Sequence, residues 1–189
     1  MTAPNQIVIP LSLETPRLIL RSFSLEHATE LHEAMAESII DLRRYLWFLP
    51  WLAEKQTLQS AQTRCRQAQA RFLLREDMPY LVFEKTTGQL VAQVGLHRTD
   101  WAIPKTEVGY WVRSSATGNG YASEMVNEIT MYALDVLAVK RIELITDEQN
   151  KGSRVVAERC GFHLEGIMRN FEQSPDGVLR NNCMYAKIP

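Results

Sequence analysis

Glu107-Val-Gly-Tyr-Trp-Val-Arg-Ser-Ser-Ala-Thr-Gly-Asn-Gly-Tyr-Ala122 is the stretch on which the reading of this chain turns. β-branched and aromatic residues from Glu107 to Arg113 predict a strand, and the apolar spacing from Tyr121 onward predicts a helix. Between them lies a turn with Gly118 and Gly120. A strand that breaks through two glycines into a helix leaves several backbone N–H groups pointing the same way, a nest that binds phosphate oxygens. An ordinary strand-to-helix turn is the other reading of the same letters. Better-known phosphate loops fit poorly: no Gly-Lys-Ser/Thr follows, and Ser123 stands where a dinucleotide fingerprint has its third glycine. The chain has room for little more than one of the strand-helix-strand units that a dinucleotide fold repeats.

Upstream, Tyr80–Lys85 and Leu90–Arg98 are strand-like runs joined by Thr86-Thr87-Gly88-Gln89, and a third strand begins near Thr106. The three form an antiparallel meander that puts Glu107 within a sheet, near the floor of any cleft beyond it. Downstream, Ala122, Val126, Ile129, Ala133 and Val136 share one helical face between Gly120 and about Ala138, and Arg141–Thr146 is a strand. Strand, helix, strand at this spacing implies a right-handed crossover with parallel pairing. Such strands can separate at their carboxyl ends where a bulge or bend lies in one of them, which would admit a cofactor. Asn150 caps a helix that runs to Arg159 and ends at Gly161. Two strands around Ser174-Pro175-Asp176-Gly177 close the chain, with Cys183 pointing into packing.

At the start, Arg17–Phe23 reads as a strand and Ser24 as the cap of a helix with Leu25, Ala28, Leu31 and Met35 inward. His27 and His32 are expected on its solvated face. Lys55–Glu76 reads as a long helix with Leu58, Ala61, Cys65, Ala68 and Phe72 on its stripe. Between the two helices, Tyr45–Leu52 is dense in aromatics around Pro50. Such a segment serves as core, as one wall of a substrate groove or as a subunit contact, so a homodimer is possible.

The chain of 189 residues is expected to form one domain, 1–189, burying about 70% of its unfolded surface. Its 21 Lys+Arg against 22 Asp+Glu argue against nucleic acid as the main partner. Cys65, Cys160 and Cys183 have neither zinc nor disulfide spacing and are expected as reduced thiols in a cytoplasmic protein. Met1–Gln6 carries no signal-peptide pattern, and no apolar run approaches membrane-spanning length, so no membrane binding is expected.

Five segments together carry a resemblance that covers nearly the whole chain. They are Glu14-Thr-Pro-Arg-Leu-Ile-Leu-Arg21, Glu107-Val-Gly-Tyr-Trp-Val112, Gly118-Asn-Gly-Tyr-Ala122, Asn150-Lys-Gly-Ser153 and Cys160-Gly-Phe-His-Leu-Glu-Gly166. In order and spacing the chain resembles the Gcn-related N-acetyltransferases (GNAT), and within them the RimJ/RimL type that acetylates protein amino termini. The resemblance implies an α/β (α+β) fold: a mixed, mostly antiparallel central sheet with flanking helices, and a parallel pair opening at the acetyl-CoA site. It implies acetyl-CoA as co-substrate, no metal, and direct transfer to an amine. The pantetheine arm would meet the backbone of Trp111, Val112 and Arg113. The pyrophosphate would rest on the amides of Ala116, Thr117, Gly118, Asn119, Gly120, Tyr121 and Ala122. Asn150 would contact the cofactor arm, and Ser153 would donate to the departing thiolate. One departure is Ser115, where the family usually carries arginine or glutamine.

An amine attacks a thioester only when uncharged, and an amino terminus, with a pKa near ~8, is partly neutral at working pH. Modest base help suffices, and Glu107, acting through a water, is the candidate; His97 is the alternative. The RimJ/RimL resemblance makes a ribosomal-protein amino terminus the expected acceptor, with a small amine (an antibiotic, polyamine or amino-acid derivative) as rival and a non-catalytic acyl-CoA-binding module as a third possibility. Tyr45–Trp51 and the loop Ser174–Gly177 would wall the acceptor site. An open groove favours a peptide and a closed pocket a small molecule.

Overall fold

The computed structural model describes residues 8–189, so the expectation for Met1–Gln6 falls outside it. In chain order the elements are β1 (Ser12–Glu14), β2 (Leu18–Ser22), α1 (Ala28–Leu46), α2 (Pro50–Ala53), α3 (Leu58–Leu74), β3 (Met78–Glu84), β4 (Leu90–Asp100), β5 (Lys105–Val112), α4 (Tyr121–Asp135), β6 (Arg141–Asp147), α5 (Lys151–Arg159), β7 (His163–Gln173) and β8 (Leu179–Lys187). The strands make one sheet in the order β1-β2-β3-β4-β5-β6-β8-β7, antiparallel except for β5 and β6. Met125, Val126, Ile129 and Ala133 of α4 are buried in the core on one face of this sheet, and Leu31, Met35, Ala61 and Cys65 of α1 and α3 in the core on the other.

The cofactor-sized opening has a physical basis in register. Pairing between β5 and β6 is confined to Lys105–Arg141, Thr106–Ile142 and Glu107–Glu143. Beyond Glu107 the strands run on to Val112 and Asp147 without pairing, while β6 keeps its ladder to β8 on its other side. On β5's far side, the ladder to β4 shifts register between His97 and Asp100, where Arg98 takes a left-handed φ of 51°. The expected parallel pair therefore does open at its carboxyl end.

Helix starts follow side-chain capping. Ser24 Oγ accepts from the Glu26 amide and begins a single 3₁₀ turn, Leu25–His27, that leads into α1. Thr57 and Ser60 cap α3 reciprocally, each hydroxyl accepting the other's amide at 3.1 and 2.9 Å, so the helix starts at Leu58 rather than at Lys55.

Some expectations need correction. His27 is buried, its ring 4.9 Å from that of Phe83, because the first turn of the helix leans on the sheet. His32 is half-buried, and its Nδ1 has no protein partner among the described residues. The α4 helix stops at Asp135, which leaves Val136 58% exposed instead of on the packed face. The short edge strand β1 carries no alternation to betray it; it pairs with β2 alone.

Cys65, Cys160 and Cys183 are buried and unpaired. Burial pushes the Cys65 thiol up to about 11, which makes it unreactive. No helix among the described residues is long and apolar enough to cross a membrane.

Candidate active site

The glycine turn is built as a donor nest. Gly118 and Gly120 have φ of 80° and 78°, the left-handed region open to glycine, and Gly120 immediately precedes the first turn of α4. Ala116 and Thr117 spend their amides on the carbonyls of Arg113 and Ser114, so the open donors begin at Gly118, later than the sequence implied. The amides of Gly118, Asn119, Gly120, Tyr121 and Ala122 have no acceptor among the described residues. They converge at a helix N-terminus, where a diphosphate is stabilised by hydrogen bonds and by the helix dipole.

Two clamps hold this loop in place. Glu124 receives Thr15 Oγ1 at 2.5 Å, the Arg17 amide at 3.0 Å and Arg17 Nε at 2.7 Å, while Arg17 Nη1 donates to the Asn119 carbonyl at 3.0 Å. Burial alone would raise the Glu124 carboxyl, but these donors hold it below its usual range. On the opposite side, Ser115 donates its amide to Glu37 Oε1 at 2.9 Å, and Arg113 Nε reaches Glu37 Oε2 at 2.6 Å. The serine that departs from the family pattern thus ties the loop to α1.

Strand alternation decides which β5 groups face the opening. The Arg113 amide donates to the Val91 carbonyl at 2.8 Å, and Trp111 and Gly109 are opposite Gln93 and Gly95 two and four residues earlier. Those residues turn their backbone groups toward β4, so Val112 and Tyr110 turn theirs toward the separated β6. Of the expected trio, Val112 offers backbone to a cofactor arm. Trp111 acts through its side chain, its indole N–H donating to Gln93 Oε1 at 3.0 Å, and the Arg113 amide is already committed.

At the opening, Tyr110 Oη and Ser153 Oγ are hydrogen-bonded at 2.9 Å. Burial raises the Tyr110 phenol, so it stays protonated. Asn150 Oδ1 accepts the Ser153 amide at 3.2 Å and thereby fixes Ser153 in the first turn of α5. The geometry brings together Ser153 and a tyrosine that the sequence reading had not singled out; Tyr110 was legible only as one aromatic in a strand.

His97 and Glu107 are cross-strand partners at the apex of the opening. Arg98 grips Glu107 through two nitrogens, with Nε 2.9 Å from Oε2 and Nη2 on Oε1. Both carboxylate oxygens of Glu107 are thereby taken up by Arg98. The imidazole of His97 lies over Gly95 and Gly109, where a Cβ would come within 3.0 and 3.1 Å of its ring, and its Nδ1 is 3.4 Å from Asp77 Oδ1. Burial would raise Asp77, but His97, Arg71 and the Arg98 amide outweigh it and hold the carboxyl well below the usual range.

A carboxylate missed by the sequence reading lies across the cleft. Glu172, half-buried on β7, is pushed up by burial and by the negative charge of Asp147, against a hydrogen bond from Asn182. Beside it, Asp147 Oδ2 and Asn182 Oδ1 are buried without a partner among the described residues. Its only sequence signal was position: the strand before a turn, five residues from Gly177.

These residues line one cleft of about 1710 Å³ that passes from the glycine nest through the strand opening to the α1–α3 side. Tyr45, Phe48 and Trp51 form one wall, as expected. The loop Ser174–Gly177 does not reach the cleft; the hairpin extends past it, and Phe171 and Glu172 supply that wall. Among the described residues no group of three His, Cys, Asp or Glu is arranged to hold a metal.

Comparison with known proteins agrees with this geometry. Residues 17–163 match the family model "Acetyltransferase (GNAT) domain". An uncharacterized N-acetyltransferase, YoaA, of Bacillus subtilis is 23% identical over 159 residues, covering 84% of this chain and 86% of that protein. The ribosomal-protein-serine acetyltransferase of Escherichia coli is 22% identical over 175 residues, covering 88% and 96%. Among solved structures, the microcin C7 self-immunity acetyltransferase MccE in complex with acetyl-CoA and AMP superposes with a TM-score of 0.85 at 22% identity, covering 96% of this chain and 98% of that one. RimL, the ribosomal L7/L12 α-N-protein acetyltransferase, in complex with coenzyme A, gives 0.84 at 21% identity, covering 95% and 97%. Both likenesses are of fold.

Proposed function

This chain belongs to the GNAT acetyltransferase family and is an acetyl-CoA-dependent N-acetyltransferase; from that premise we propose that its acceptor is the amino-terminal amine of a ribosomal protein, taken up by one domain spanning 1–189. The observation that carries the proposal is the cleft itself, which at about 1710 Å³ is continuous from the glycine nest to Tyr45, Trp51 and Gln67 on the α1–α3 side and exceeds the roughly 300–1,000 Å³ of a small-molecule pocket. Resemblance to RimJ/RimL enzymes and to the E. coli ribosomal-protein-serine acetyltransferase supports the ribosomal acceptor.

The free amides from Gly118 to Ala122 fit a diphosphate, and the Val112 backbone fits the amide-bearing arm of coenzyme A. Asn150 and Ser153, at the start of α5, border the same arm. With the thioester in the opening, the neutral amine nitrogen attacks its carbonyl carbon, the C–S bond breaks and the thiolate leaves. The Tyr110–Ser153 pair donates a hydrogen bond, then a proton, to that sulfur. The proton lost by the amine goes through water to a carboxylate. Glu107 borders the opening but is held by Arg98, whereas Glu172 combines cleft exposure with a raised pKa; Glu172 is therefore the preferred acceptor.

A thiol-release assay with acetyl-CoA, a panel of ribosomal-protein amino-terminal peptides and a panel of small amines tests the assignment. Turnover of peptides is the expected result. Turnover of polyamines or aminoglycosides with none of peptides would replace the acceptor while leaving the enzyme class intact.

A further inference from the structure

Arg64 on α3 faces the acceptor half of the cleft. Its guanidinium is stacked 3.9 Å from the centre of the Trp51 ring, and Nη2 donates to Gln93 Oε1 at 2.7 Å. Gln93 Oε1 is shared with the Trp111 indole, so the one hydrogen-bond acceptor that the described residues offer the cation is a neutral oxygen already taking a second donor. Nε is buried with no partner, and among the described residues no carboxylate lies within ion-pair distance of this arginine. Of the other arginines lining this cleft, Arg71 is paired with Asp77 and Arg98 with Glu107, while Arg44 and Arg159 make no ion pair among the described residues but are exposed to solvent, unlike the buried Arg64 Nε.

Removing a cation from water without a counter-charge is unfavourable, and stacking on an aromatic face recovers only part of the loss. The strain registers in its acidity, which burial pulls down to about 10. A brace between α3 and the sheet needs no charge; an uncharged amide in the same place would bond Gln93 at lower cost. An unmatched guanidinium in a substrate groove is instead suited to an anion brought by the substrate, since its planar fork matches a carboxylate.

Distance along the sheet fixes where that anion would sit on the acceptor. Arg64 is anchored at Gln93, opposite Trp111, two residues past the Gly95–Gly109 pair that floors the strand opening. Two residues of strand span about 7 Å. An extended peptide with its amine at the opening puts its second side chain within that reach.

Resting on the peptide-acceptor reading above, we infer that Arg64 is an anion subsite that selects amino termini with an acidic residue at the second position. The test uses acetyl-CoA with two carboxy-amidated hexapeptides that differ only in Asp or Asn at position two, assayed on the wild type, Arg64→Gln and Arg64→Lys. The wild type is expected to favour the Asp peptide by about tenfold in kcat/KM, chiefly through KM. Arg64→Gln should bring the ratio of the two peptides to about one, and Arg64→Lys should retain part of it.

Equal use of both peptides by the wild type, or an undiminished ratio in Arg64→Gln, overturns the subsite while the peptide-acceptor reading stands. Should Arg64→Gln fail to fold, inhibition of the wild type by the amino-acetylated Asp and Asn peptides decides: stronger inhibition by the Asp form supports the subsite, and equal inhibition overturns it. Turnover of free amino acids with neither peptide used would overturn the peptide-acceptor reading and the second-position subsite with it.

Discussion

Arg98 holds both carboxylate oxygens of Glu107, and the left-handed backbone of Arg98 at the β4 bulge is what brings its side chain back across the strand to do so. Glu107 is 14% exposed at its side chain while Arg98 is 70% exposed, so the pair seals the apex of the opening. Glu107→Gln removes the charge and leaves a neutral acceptor for Arg98. We expect kcat to fall by less than ~10-fold, below the usual range for loss of a general base. Steady-state rates against pH check this; a loss of ~10³-fold together with a missing limb would return Glu107 to the base role.

Glu172 carries the opposite expectation. A base must be deprotonated to work, and a carboxyl raised by burial and by Asp147 loses its proton at higher pH than an ordinary glutamate. The acidic limb of kcat/KM should therefore lie above the ~4.3 of an ordinary glutamate, with activity falling as pH drops through it. Glu172→Gln should remove about 10²-fold of kcat and flatten that limb. An unchanged profile would exclude Glu172.

Tyr110 and Ser153 act as one unit if both serve the leaving sulfur, because each hydroxyl orients the other. Tyr110→Phe and Ser153→Ala should each slow turnover by roughly 10- to 100-fold with coenzyme A affinity retained, and the double variant should be little worse than the slower single one. Calorimetry for affinity and single-turnover rates for chemistry separate the two effects. Variants that weaken coenzyme A binding with kcat intact would assign the pair to binding alone.

Much of this site was legible because backbone conformation is written locally. Gly118 and Gly120 announced a left-handed turn, and the strand before and helix after it were set by side-chain period. What escaped were pairings between residues distant in the chain. Arg98 reaches Glu107 only through a bulge, and Glu172 meets Asp147 only because β8 lies between β6 and β7. His27 misled for a related reason: its burial depends on Phe83, 56 positions away and brought near by the sheet.

Asp77 links the cleft to acid stability. Its carboxyl is depressed in the folded chain, so its contribution is complete above the unfolded value of ~3.9 and is lost as pH falls below that toward the folded value. Asp77→Asn should lower stability at pH 7 and flatten the acid side of the stability curve. Urea midpoints taken from pH 7 down to pH 3 measure this; parallel curves for the two proteins would show that Asp77 contributes nothing through its charge.

Gly120 separates a binding role for the nest from a folding one. An alanine there meets only Arg17 Nη2, at an ordinary 3.5 Å, so space is not the obstacle. Its φ of 78° is, and holding an L-residue in that region costs about 1–2 kcal/mol. A chain of this size would lose roughly 2–8 °C of Tm if the helix start held its shape. If it relaxed instead, the amides of Gly120 and Tyr121 would turn away and the diphosphate would lose donors. Acetyl-pantetheine, which lacks the diphosphate, distinguishes the outcomes. Gly120→Ala should weaken coenzyme A by about tenfold or more while acetyl-pantetheine turnover changes little, since the nest touches only what that fragment lacks. Equal loss on both would mean that the turn supports the strand opening as a whole, and that diphosphate binding lies elsewhere.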